Sequence, residues 1–75
     1  MKIKEHLRTV LSLQFPGADF ERYFAFLDSC PQVDEKGHRH HILPRKEFPE
    51  FVKDPANLIR ITAADHFKAH YFLAA

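Results

Sequence analysis

The chain has 75 residues, a length that allows one compact domain with a modest hydrophobic core. Its hydrophobic content of 45% and net charge of +1 are those of a globular protein, and no apolar run approaches the ~20 residues of a membrane span. Cys30 is the only cysteine, which excludes a disulfide within the chain and leaves a metal ion or self-association to reinforce so small a core.

The first 30 residues predict two helices. Apolar side chains recur at helical spacing over residues 3–14, and Pro16-Gly17 ends this first helix. The second helix is predicted to begin with Asp19 as its N-cap and to end at residues 29–31. We expect the apolar stripe of this helix to pack into the core; it consists of Phe20, Tyr23, Phe24 and Leu27.

The second half of the chain predicts two strands joined by a long loop. Residues 38–43 form the first strand, which Pro44 closes, and residues 58–61 form the second, which is expected to pair with it. The charged loop between them carries one predicted helical turn around residues 47–52 and a turn signal at residues 54–57.

A last helix follows the second strand directly. Thr62 is its predicted N-cap, and the helix runs to about Leu73. The sequence therefore predicts a small α+β fold in which residues 1–75 form a single domain. Residues 1–30 are its helical part, and residues 37–74 are a strand-strand-helix unit.

Histidines are concentrated in this second half. His66 and His70 are four residues apart on the last helix, so both side chains lie on one face and can reach a single ion. His40 and His41 lie on the first strand, and if the helix packs across the hairpin, His40 approaches the helical pair. Three imidazoles with an open position are typical of a catalytic transition-metal site.

The strand geometry leaves the choice of ligand open. Neighbouring residues on a flat strand point to opposite faces, so His40 and His41 face the helix together only if the strand twists or ends near Pro44. By the same alternation His38 shares a face with His40, which makes His38 a competing metal ligand.

These residues resemble a known family, the HNH (ββα-metal, His-Me finger) endonucleases. The resemblance is nearest to phage-type members with a pattern like HHI-x-P, N-L-[VI]-x-L-T and x-x-H-F-x-x-H, and it covers about residues 38–73. Three segments carry it in the expected order: His40-His41-Ile42-Leu43-Pro44, the stretch from Asp54 to Ala63, and His66-Phe67 with Ala69-His70.

The resemblance implies a role for each matching position. His40, His66 and His70 correspond to the metal ligands, and His41 to the general base that deprotonates the attacking water. Asn57 corresponds to the middle residue of the motif, which ties the loop together and orients the base. The implied cofactor is one divalent metal ion (zinc, nickel, manganese or magnesium), and all-nitrogen ligation favours zinc or nickel.

The sequence departs from the family in two places. Many members carry Glu two residues before the first histidine of the pair, and His38 stands there in this chain. Many also bind a structural zinc through CxxC pairs, which a chain with one cysteine lacks.

The function that the resemblance implies is hydrolysis of DNA phosphodiester bonds. Residues 36–75 hold seven Lys/Arg and four Asp/Glu, a charge of +3 that suits a phosphate backbone. Four cations in this half are candidates for contacts with nucleic acid: Arg45, Lys46, Arg60 and Lys68.

Two other classes of protein compete with the nuclease. One is a non-catalytic, metal-stabilised module that binds nucleic acid or protein and has no use for His41. The other is a helical interaction domain whose histidines are incidental. Phe72 projects opposite the histidine face and must pack on the N-terminal helices or on a second chain, so a homodimer is an alternative.

The lone cysteine and the N-terminus without an apolar signal predict a cytoplasmic protein with no membrane partner.

Overall fold

The computed structural model of the chain describes residues 3–74, which form three helices and a two-stranded antiparallel hairpin. The predicted α+β class and the order helix, helix, strand, strand, helix are confirmed. In chain order the elements are α1 (Glu5–Gln14), α2 (Glu21–Ser29), β1 (His38–His41), β2 (Leu58–Ile61) and α3 (Ala63–Ala74).

The hairpin is held in one register by alternate burial. His40 pairs with Ile59 and His38 with Ile61, so the side chains of both isoleucines share the face of these two histidines. Ile59 and Ile61 are buried, which anchors this face on the helices. A slip of one residue would expose both isoleucines and turn His40 outward.

The long connection between β1 and β2 contains two short 3₁₀ turns, Pro49–Phe51 and Pro55–Asn57. The first occupies the place where one helical turn was predicted. The Asp54 side chain caps the second by accepting a hydrogen bond from the Ala56 backbone N–H at 2.9 Å.

The core lies between α1, α2, the hairpin and α3. Ala69 is fully buried on α3, and so small a side chain allows close approach to the neighbouring elements. Phe72 packs on α2, where its ring centroid is 5.1 Å from that of Phe26, so the N-terminal helices supply the expected contact. The buried hydrophobic residues are Ile3, Leu7, Leu11, Tyr23, Phe24, Leu27, Cys30, Ile42, Leu43, Phe48, Ile59, Ile61 and Ala69.

Two predicted boundaries at the helices were wrong. The first helix begins at Glu5 because the backbone of Lys4 is extended (ψ 141°). The N-cap of α2 is Phe20, not Asp19. The Asp19 carboxylate instead accepts a hydrogen bond from the Glu21 N–H at 2.9 Å, so it satisfies a free donor of the first turn from one position further out.

The predicted end of the first strand was also wrong, because β1 ends at His41 and not at Leu43. The Asn57 side chain takes both backbone groups of Leu43 and thereby ends the pairing with β2. None of the helices in the described part of the chain is long and apolar enough to cross a bilayer.

Candidate metal centre

His40 is placed by β1 and held by α2. Its side chain faces the helices and is 1% exposed. Its Nε2 lies 2.8 Å from the hydroxyl oxygen of Tyr23, and that hydroxyl also donates a hydrogen bond to the Ile42 carbonyl at 2.7 Å. The imidazole is therefore fixed by one partner on a neighbouring helix.

His66 and His70 are placed by α3, one turn apart. The helix begins where predicted, because the Thr62 hydroxyl accepts a hydrogen bond from the Asp65 backbone N–H at 3.1 Å. The Nε2 atoms of His66 and His70 are 3.1 Å apart. Helical spacing alone thus brings two imidazole nitrogens to one point.

The three imidazoles converge across the hairpin and the helix. The ring centroid of His40 is 5.3 Å from those of His66 and His70, and one nitrogen of each ring lies within 4.8 Å of the others. Two nitrogens bound tetrahedrally to one zinc ion are roughly 3.3 Å apart, close to the His66–His70 separation. This set of donors can hold one metal ion.

The electrostatics keep two of the three rings neutral. Burial, together with the nearby His70, His66 and His41, lowers the pKa of His40 to about 3. Burial also lowers the pKa of His66, with smaller contributions from His70 and His38. A neutral imidazole has the free lone pair that a metal ligand needs.

His41 lines the same cleft as the three candidate ligands but is not one of them. His40 and His41 are neighbours on β1, and both border the cleft. The half-buried ring of His41 is a fourth imidazole beside the three that can share an ion.

His38 lies on the far side of the His66 ring. Its Nδ1 is 3.1 Å from the Nδ1 of His66, whereas the Nε2 of His66 faces His70. The two ring nitrogens of His66 therefore contact different histidines. His38 is exposed and lies outside the group of three ligands that the geometry brings together.

The Asn57 side chain is fully buried. Its side-chain oxygen accepts a hydrogen bond from the Leu43 N–H at 2.7 Å, and its amide donates to the carbonyls of Leu43 at 3.3 Å and Phe51 at 3.2 Å. These bonds join the segment after His41 to the loop before β2.

The cationic side chains divide into two groups. Arg45 and Lys46 line the cleft, as does Arg39, which the sequence analysis did not select. Arg60 instead donates hydrogen bonds to the Glu35 and Gly37 carbonyls, and neither it nor the exposed Lys68 is among the described residues that line the cleft.

Tyr23 is the other site residue that the sequence did not reveal. It was expected in the core and is buried there, 1% exposed, but its hydroxyl also contacts His40. An apolar stripe on a helix carries no signal for such a contact, whereas Arg39 could have been suspected from its place between two histidines.

Comparison with known proteins gives no match to a protein-family model, a curated protein or a solved structure.

Proposed function

We propose that the chain is a metal-dependent DNA endonuclease of the HNH type. The observation that carries the proposal is a group of three imidazoles able to share an ion, with a fourth imidazole, His41, in the same cationic cleft. The proposed ligands are His40, His66 and His70, and His41 is the proposed general base.

The division of labour among the histidines follows from their surroundings. A ligand must present a bare nitrogen, and the neutral rings of His40 and His66 meet that requirement. A general base must remain free to take a proton, and His41 lies outside the group of three. Histidine is the side chain that most often serves as a general base in catalysis.

The reaction is hydrolysis by in-line attack of water on phosphorus. His41 takes one proton from the water as the new P–O bond forms. The bond from phosphorus to the 3′ oxygen breaks, and that oxygen takes a proton from solvent, which leaves 5′-phosphate and 3′-hydroxyl ends. A divalent ion at the three imidazoles would stabilise the charge on the leaving oxygen and on a nonbridging oxygen.

Three cations complete the cleft. Arg39, Arg45 and Lys46 line its wall and are the groups we expect to bind the phosphate backbone on either side of the scissile bond. Such contacts position a nucleic acid without reading its sequence. Arg60 is tied to the backbone of the turn before β1, so we assign it a structural role instead.

The resemblance to HNH endonucleases supports the same assignment. All four histidines of its motif, from His40 to His70, border the cleft, and Asn57 joins two parts of the connection between the strands. The non-catalytic alternative, a metal-stabilised binding module, accounts for the three ligands and the cationic cleft but gives His41 no purpose.

The test is a plasmid-cleavage assay over several divalent ions. We expect His41→Ala to keep its bound metal and to cut at least ~100-fold more slowly, because it lacks only the general base. His66→Ala should weaken both metal binding and cleavage. His6→Ala is the matched control, because His6 is exposed and lies against Asp54, outside the cleft.

The outcome separates the two functions. Cleavage that depends on His41 and on added metal supports the nuclease. Equal cutting by the wild type, His41→Ala and His66→Ala would trace the activity to another source. Metal and DNA binding without cleavage under any ion would establish the binding module.

A further inference from the structure

Tyr23 stands at a junction between the first half of the chain and the candidate metal centre. Its side chain is buried, and its hydroxyl has two partners, the Nε2 of His40 at 2.8 Å and the carbonyl oxygen of Ile42 at 2.7 Å. A hydroxyl has one proton to donate and lone pairs to accept with. This single proton therefore determines which group donates and which accepts in each of the two hydrogen bonds.

The Ile42 carbonyl oxygen can only accept, so the Tyr23 proton points to it. The oxygen of Tyr23 then has only lone pairs to offer His40, and the Nε2 of His40 must carry a proton. In the opposite arrangement, with Tyr23 donating to His40, two acceptor oxygens would face each other at 2.7 Å. A neutral imidazole protonated at Nε2 has a bare Nδ1.

We propose that Tyr23 is a positioning residue of the metal centre, which fixes the tautomer of His40 so that its Nδ1, and not its Nε2, is the ligand atom. The inference rests on the metal site of the proposed function but not on nuclease activity. Partners of this kind, which hold the second nitrogen of a ligating histidine, orient the ring and raise its affinity for metal.

Tyr23 can fill this role because α2 places it in the core. Its ring packs at 5.4 Å from that of Phe24 and lies edge-on to His40 at 6.1 Å, measured between ring centroids. Its hydroxyl is therefore held in place by the core and not by the metal. The helical N-terminal part thus supplies a component of the centre, although all three ligands lie in the second half of the chain.

The direct test is long-range ¹H–¹⁵N NMR of the histidine rings in the wild-type chain, before and after one equivalent of zinc. We expect His40 to carry its proton on Nε2 in both states, and zinc to shift its Nδ1 resonance. Zinc bound through the Nε2 of His40, or no zinc bound at His40, would overturn the inference. Because this measurement uses only the wild-type chain, its outcome does not depend on whether a variant folds.

A second test removes only the hydroxyl. Tyr23→Phe should weaken zinc binding by about 10- to 100-fold in competition with a chromogenic chelator, the range found for partners of ligating histidines. Its His40 ring should also show a mixture of tautomers while the rest of the NMR spectrum remains that of the folded wild-type chain, whereas a general loss of packing would change the spectrum throughout. Tyr71→Phe is the matched control, because it deletes an exposed phenol hydroxyl from α3.

The two proposals can fail separately. A chain that binds zinc through the Nδ1 of His40 but never cuts DNA would retain the role of Tyr23 and lose the nuclease. A chain that cuts DNA with unchanged zinc affinity and an unchanged His40 tautomer in Tyr23→Phe would retain the nuclease and lose the role of Tyr23.

Discussion

Asn57 joins two parts of the loop that carries the cleft. Its three hydrogen bonds satisfy one N–H and two carbonyls of the backbone around it, and the side chain is wholly buried. No other amino acid of this size offers an acceptor and two donors in the same plane. The position therefore demands an amide for structural reasons.

Replacing Asn57 with Ala should destabilise the fold by about 3 kcal/mol, because the buried backbone groups of Leu43 and Phe51 lose their partner. Urea unfolding measures the change. Asn57→Asp should also be destabilised, because its carboxylate keeps the bond from the Leu43 N–H but faces two carbonyl oxygens. Gln32→Ala, which removes an exposed amide, is the control; an equally small loss in all three would contradict this role.

Single residues show where sequence reasoning succeeds and where it ends. The spacing of His66 and His70 determines their meeting, because both lie on one helix. The contact between Tyr23 and His40 joins residues 17 positions apart and depends on how α2 packs against the hairpin. No local sequence pattern encodes that packing, so the contact between Tyr23 and His40 could not be predicted.

At the scale of elements, the helix caps decide how firmly the ligands are held. The Thr62 hydroxyl satisfies the N–H of Asp65, and the backbone N–H of His66 bonds to the Thr62 carbonyl at 2.8 Å. His66, the first candidate ligand on α3, thus lies in the first turn of the helix. Fraying of this end would move His66 away from His40.

Thr62→Ala should lower the free energy of unfolding by about 1 kcal/mol, the usual cost of losing an N-cap. Thr62→Ser keeps the hydroxyl and should recover most of that loss. Thermal unfolding of the metal-free chain measures both variants, so that bound metal does not mask the difference. A serine variant as unstable as the alanine variant would show that the methyl group, and not the cap, matters.

Element boundaries were predicted well where a local signal sets them. β2 and the start of α3 follow from alternation and from a capping residue, and both were placed correctly. The end of β1 was missed because the competing partner, Asn57, lies 14 residues beyond Leu43 in the chain. The start of α2 was missed by one position, because an Asp can bond to the first turn from just outside the cap.

At the scale of the whole molecule, the candidate metal centre lies where the two halves of the fold meet. His40 belongs to the hairpin, His66 and His70 belong to α3, and Tyr23 reaches the centre from α2. An ion bound there would join three elements of a small core that has no disulfide. Binding to the folded state alone adds about 2.7 kcal/mol of stability at a free metal concentration 100 times the dissociation constant.

Calorimetric titration of zinc into the metal-free chain tests the central claim most directly, because that claim is that three imidazoles share one ion. We predict that one zinc ion binds per chain. Each of His40→Ala, His66→Ala and His70→Ala should lower the affinity for zinc at least ~10-fold. His41→Ala and His6→Ala should leave the stoichiometry unchanged. Zinc binding of undiminished affinity in His66→Ala, or no binding by the wild type, would contradict the account.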